Sequence, residues 1–145
     1  MQASQSPEEV FAAINQVDRW WSAGIRGKSK QIGDEFFYRH KDLHWSNQKV
    51  IEMVKSSRVV WRVTDGELTF VKDQREWKDT DVVFDISRKG DQTEVTLTHA
   101  GLTPDVECFK ACTQGWSHYF GESLKQFIVT GKGNPDPVEF STASA

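Results

Sequence analysis

The stretch TEVTLTHAGLTPDVECFKACTQGWSHYFGESLKQFIVTG, residues 93–131, changes its apolar period partway along, and that change decides the fold. From Thr93 the pattern alternates: Val95, Leu97 and His99 share one face, while Glu94 and Thr96 take the other. Successive side chains of a strand point to opposite faces, so this is a strand with one buried face. Past Gly101 the period becomes helical. Thr103, Pro104 and Asp105 offer a cap, a first-turn proline and an acidic first turn. Phe109, Cys112, Trp116, Phe120, Ser123, Leu124 and Phe127 then form one stripe, and Gly131 is a natural stop. A helix of this length spans about 40 Å, longer than a typical strand. It is expected to lie across a sheet as the sheet's main apolar partner.

The sheet is written upstream. IGDEFFYRH (32–40), HWSNQKVIEMV (44–54), RVVWRVT (58–64) and TDVVFDISR (80–88) mix β-branched and aromatic residues with polar ones at period two. Lys41-Asp42, Lys55-Ser56-Ser57, Asp65-Gly66 and Gly90-Asp91 read as turns, and connections this short imply an antiparallel meander. Val59, Trp61 and Val63, and Val82, Phe84 and Ile86, supply apolar faces; Arg62 and Asp85 are expected in solvent. ELTFVKDQREWKD (67–79) reads either as a short strand through Leu68, Phe70 and Val71 or as a loop over a cavity mouth. Nearer the N-terminus, Ser6-Pro7-Glu8-Glu9 is a capping signal for a helix with Val10, Phe11 and Ile14 on its apolar face. A second brief helical turn follows over Val17 to Trp21, then a loop, SAGIRGKSK (22–30).

At 145 residues the chain is one domain in size, with 37% apolar, 27% charged and 12% aromatic residues, a globular composition. Eighteen basic residues against twenty-one acidic ones leave a net charge of -3, with no basic cluster, which disfavours a nucleic-acid partner. MQASQSPEEV lacks the basic start and apolar middle of a secretory signal, and VFAAI is too short to cross a bilayer. A soluble cytoplasmic protein without membrane contact is the expectation. The two cysteines, Cys108 and Cys112, stand four apart on the long helix, a spacing that does not favour a disulfide, and read as free thiols.

REWKDTDVVFDI, DQTEVTLTHAGL and QGWSHYFGESLKQFIVTG resemble the C-terminal half of bacterial START-like (SRPBCC) proteins. The likeness is strongest to the branch named after the activator of the ninety-kilodalton heat-shock protein ATPase. Its signature falls on Thr93, Val95, Leu97, Thr98, His99, Ala100, Gly101, Leu102, Gly115 and Trp116, and SPEEVFAAI is similar to its first helix. The resemblance implies an α+β helix-grip fold: a curved antiparallel sheet of six or seven strands around a long C-terminal helix, with two short helices after the first strand. Only MQASQ is available for that first strand. The expected domain spans 1–133, and NPDPVEFSTASA (134–145) is expected to be a flexible tail.

The resemblance also implies a cavity between sheet and last helix. Trp20 or Trp21, Trp61, Phe84, Trp116 and Phe120 are candidates to wall it, with Leu97, His99, Cys112 and Leu124 beside them. Ser123, Thr113 and His99 are polar candidates, and Arg62 would join them only in the opposite strand register. No metal is expected: His99, Cys108 and Cys112 suit zinc by type, yet no CxxC pair or fourth ligand accompanies them. His40 and His44 can face each other across a hairpin, but two ligands bind weakly, and a solvated tip is the simpler reading. Cys112 with His99 as a nucleophile pair lacks an orienting partner, and GxSxG, GxxxxGK[ST] and GxGxxG are all absent. No cofactor is expected, and His99 is the one candidate for proton transfer. In the resembling family the histidine belongs to the strand-to-helix corner, where its ring would bond a backbone group. The leading expectation is a binding protein, monomeric or homodimeric, for a small hydrophobic or lipid-like molecule. A chaperone accessory and a cyclase- or hydratase-like enzyme are the alternatives.

Overall fold

The computed structural model describes residues 1–40, 44–69, 72, 77–103 and 109–135. In chain order the elements are β1 (Gln2–Ala3), α1 (Pro7–Ile14), α2 (Val17–Trp20), β2 (Arg26–Gly27), β3 (Glu35–His40), β4 (His44–Val54), β5 (Arg58–Leu68), β6 (Asp81–Lys89) and β7 (Gln92–Ala100). A last helix follows in three consecutive parts: α3 (Phe109–Trp116), a π-helical stretch (Ser117–Leu124) and α4 (Lys125–Thr130). The seven strands form one antiparallel sheet in the order β1-β7-β6-β5-β4-β3-β2. α1 and α2 thus lie in the connection between its two edges.

The short N-terminal segment suffices for an edge strand. Gln2 pairs with Glu94 and Ala3 with Thr93, while the Val95 N–H donates to the Met1 carbonyl at 2.8 Å. The fully buried Thr93 hydroxyl adds a 2.6 Å bond to the Gln5 carbonyl. α1 carries the expected capping box: Ser6 Oγ accepts from the Glu9 N–H at 3.2 Å, and the Glu9 carboxylate accepts from the Ser6 N–H.

Alternation along the central strands sorts side chains as the sequence implies. Val59, Trp61, Val63, Val82, Phe84, Ile86 and Val95 are buried, whereas Arg62 is exposed and paired with Asp81. Val59 lies opposite Phe84, and Trp61 opposite Val82. Cys112, Trp116, Leu124 and Ile128 of the last helix join these residues in one apolar cluster. Each large aromatic removes on the order of 150–250 Å² from water, so the rings dominate this core.

Two local features depart from the sequence reading. Asp65-Gly66 is not a turn. β5 runs on to Leu68, and the shift in register between Asn47 and Gln48 takes up the irregularity. Gly66 lies opposite Ser46, where an added Cβ would come within 3.0 Å of the Trp45 carbonyl oxygen, so the glycine serves close backbone approach. The last helix, second, is not uniformly α-helical. Ser117–Leu124 is a π-helical stretch, and both Tyr119 and Phe120, three and four residues after Trp116, pack against the core. Gly131, at φ 82°, closes the helix as expected.

The helix is also tied down beyond its end. Ser123 Oγ donates to the Trp20 carbonyl at 2.6 Å and accepts from the Asn134 N–H at 2.8 Å. Asn134, the first residue of the expected tail, is therefore bonded to the scaffold. Residues 136–145 of that tail, the Lys41-Asp42 turn, Phe70 and Val71, and the helix start at Pro104 and Asp105 lie outside the described residues.

Candidate functional site

A cavity of about 240 Å³ opens near the start of the last helix. Trp21 follows α2, Tyr38 and His40 end β3, His44 begins β4, and Trp77 precedes β6; α3 and the π stretch supply Ala111, Cys112, Gly115, Trp116 and Tyr119. Three indoles, two phenols and two imidazoles make up most of this wall.

The rings form a continuous array. Trp21 stacks on Trp61 at 5.8 Å and 6°, and on Tyr38 at 4.5 Å. It meets Trp116 at 5.2 Å, and Trp116 stacks on Trp77 at 6.0 Å and 10°. His44 and His99 stand edge-on to Trp77 at 4.3 and 4.5 Å. At one side of the cavity the Tyr38 and Tyr119 hydroxyls are 3.1 Å apart.

His99 closes a side-chain network behind this wall. Its Nδ1 accepts from the Trp116 indole N–H at 3.1 Å. An indole nitrogen can only donate, so Nδ1 is unprotonated and the neutral ring carries its proton on Nε2. That Nε2–H donates to Thr80 Oγ1 at 2.8 Å, and the Thr80 hydroxyl donates to the Trp77 carbonyl at 2.5 Å. Burial lowers the His99 pKa to about 4, against the smaller opposing pull of Asp81. The expectation that this ring bonds a backbone group is corrected here: its partners are an indole and a hydroxyl.

His44 is not part of a solvated hairpin tip. Burial first, then the like charges of His40 and His99, lower its pKa to about 3. Its Nε2, like the Nε1 of Trp21 and of Trp61, is buried without a hydrogen-bond partner among the described residues.

The sequence-derived candidates divide into groups. Cys112 and Trp116 line the cavity, and His99 stands directly behind Trp116 and Trp77. Trp20, Trp61, Phe84 and Leu124 are fully buried, and the half-buried Leu97 and Phe120 pack against the same core; none of these six is in the cavity lining. Ser123 is consumed by the Trp20 and Asn134 bonds, and Thr113 and Arg62 are exposed. Tyr38, His44, Trp77 and Tyr119 were not singled out as lining. Period two on β3 puts Tyr38 on the face of Phe36, and Tyr119 stands seven residues after Cys112 and three after Trp116 on one helical face, so both signals were available; Trp77 sits in the segment with no clear period.

Metal and nucleophile chemistry find little here. Among the described residues no three His, Cys, Asp or Glu side chains gather as metal ligands, and Cys108 lies outside the described residues. The Cys112 sulfur accepts from the Trp77 indole N–H at 3.3 Å, and both nitrogens of His99 are engaged, so they do not form a thiol–imidazole pair.

An open antiparallel sheet with early short helices and a long C-terminal helix is the helix-grip architecture of START-like domains. Within that class the chain belongs to the family described as Activator of Hsp90 ATPase homolog 1-like protein, whose model matches residues 4–128. Solved structures share the fold. The Aha1 dimer from Colwellia psychrerythraea superposes with a TM-score of 0.73 at 22% identity, over 92% of this chain and 95% of that one. DynU16, a protein of the dynemicin biosynthetic locus, gives 0.68 at 16% identity over 92% of this chain and 46% of that one. SSP2350 from Staphylococcus saprophyticus gives 0.67 at 16% identity, over 95% of both chains. No curated protein matches the chain. Among the described residues no helix is long and apolar enough to cross a membrane.

Proposed function

We propose that the protein binds a small, uncharged, largely aromatic molecule in the cavity beside the last helix. The observation that carries this reading is a void bounded by the faces and edges of Trp21, Tyr38, Trp77, Trp116 and Tyr119. An apolar cavity of about 150 Å³ suffices for benzene, and drug-sized ligands occupy about 300–1,000 Å³. At about 240 Å³ the space suits a molecule of two fused rings and is too small for a two-chain lipid. Burial keeps His44 and His99 neutral, so neither adds charge around the space. A ligand or water that brought an acceptor to the Trp21 N–H would also satisfy a donor whose isolation costs about 1–3 kcal/mol. Native mass spectrometry on protein taken directly from cells tests the reading. A retained small molecule supports it; bare protein, with no thermal shift from one- to three-ring aromatics, removes it.

The family's name favours a second reading, an accessory to the heat-shock ATPase chaperone acting through the protein's surface. Pull-down of the chaperone, followed by its ATPase rate with and without this protein, separates the two. A cyclase-like enzyme has less support, because His99 is already committed through both nitrogens. The dimeric relative makes a homodimer the assembly to test first.

A further inference from the structure

We infer that His99 is a positioning residue that clamps two neighbouring tryptophans of the lining, Trp116 and Trp77, and so fixes the shape of that side of the cavity without touching its contents; this rests on the binding reading above.

His99 lies at the end of β7 and is absent from the cavity lining, yet both residues it holds belong to that lining. One ring nitrogen fixes Trp116 by its indole N–H, and the other reaches the Trp77 carbonyl through the Thr80 hydroxyl. A single imidazole therefore ties the helix wall to the loop wall. The two indoles it spans are the pair stacked at 6.0 Å. Trp77 is held at further points, by its N–H to Cys112 Sγ and by the edges of both imidazoles. The backbone beside His99 is shaped to admit the relay. Gly101 has φ 100°, and a Cβ there would come within 2.7 Å of Thr80 Cγ2. Both bonds need a side chain with an acceptor at the place of Nδ1 and a donor at the place of Nε2, which the imidazole supplies at once.

The two arms can be cut separately. In His99→Asn the amide oxygen stands at the position of Nδ1 and can keep Trp116 while losing Thr80. In His99→Gln the amide reaches toward Thr80 and loses Trp116. The measurement is indole N–H exchange by NMR, near-UV circular dichroism of the stacked tryptophans, and the affinity for 2-naphthol, used as the probe. For His99→Gln we expect fast exchange of the Trp116 indole N–H, a reduced near-UV signal and an affinity weaker by about five- to tenfold, the worth of one net hydrogen bond. His99→Asn should keep the Trp116 N–H slow and lose less affinity. Should His99→Gln fail to fold, Thr80→Val cuts the second arm alone and should reduce the near-UV signal with the Trp116 N–H still protected. Wild-type exchange and a wild-type near-UV spectrum in folded His99→Gln, or an undiminished near-UV signal in Thr80→Val, overturn the clamp. The exchange and spectral readouts need no ligand. A wild-type protein that ignores 2-naphthol and other aromatics therefore counts against the binding reading, and the clamp is still judged by its own signals.

Discussion

Acidification should destabilise this protein by way of two histidines that the fold holds neutral, His99 and His44. His99 titrates near 4 in the folded state and near 6.5 once exposed by unfolding. A gap of about 2.5, at 1.36 kcal/mol for each pH unit, is worth about 3 kcal/mol in full. The sign follows from which state takes up the proton first. Below pH 6.5 the unfolded chain protonates His99 while the folded chain does not, so stability is complete above that pH, falls as pH drops toward 4, and levels off below it. Between pH 7 and 4.5 the His99 share is about 2 kcal/mol. His44 acts in the same direction down to about pH 3, by less than its pKa alone suggests, because the residue as a whole is only half-buried. Against a domain stability of about 5–15 kcal/mol, a loss of this size is plainly measurable. The assay is equilibrium urea unfolding, followed by tryptophan fluorescence at pH steps from 7.5 to 4.5, on the wild type and His99→Asn. The variant should lack about 2 kcal/mol of the wild-type slope. A wild-type stability that is flat across this range, or a variant with the whole slope intact, would refute the burial argument.

Other outcomes follow from single contacts. Gly101→Ala places a side chain at φ 100° against Thr80 and should cost about 1–3 kcal/mol, read as a lowered urea midpoint. Ser123→Ala strands the Asn134 N–H and removes the bond to the Trp20 carbonyl; a loss of about 1–3 kcal/mol is expected, and Ser123→Thr should not substitute cleanly in a site with no exposed surface. Trp61→Ala, at the centre of the ring array, should cost about 3–5 kcal/mol in the same experiment, whereas the exposed Thr113→Ala should leave stability within about 0.5 kcal/mol of wild type.

Much of the architecture was legible because it rests on local periodicity. The alternation of Val59, Trp61 and Val63 and of Val82, Phe84 and Ile86 sorts the sheet's faces without any tertiary knowledge, and the Ser6 capping box sets where α1 begins. Features that depend on contacts between distant segments were harder to read. Asp65-Gly66 has the composition of a turn, yet the long partner strand β4 draws it into a ladder. Tyr119, by contrast, follows Cys112 by seven residues and Trp116 by three, so the helical period itself carries it onto the cavity wall, and a stripe drawn through Phe120 alone overlooks it. For the site, sequence reasoning brought together Cys112, Trp116 and His99, which share one strand-to-helix corner. It missed Trp77 and His44, which reach the cavity only through pairing and loop packing that no local pattern encodes. The core rings Trp20, Trp61 and Phe84 have the same composition signal as the lining rings, and only the three-dimensional void tells them apart.

A tryptophan-lined binding site scaled to two fused rings must discriminate ligands by size. A titration of isotope-labelled protein with toluene, 2-naphthol and a three-ring aromatic, followed at the indole N–H signals, tests it most directly. Saturable shifts centred on Trp21, Trp77 and Trp116 are expected, with 2-naphthol tightest and the three-ring compound weakest. No saturable shift with any of the three, or tightest binding by the largest, would contradict it.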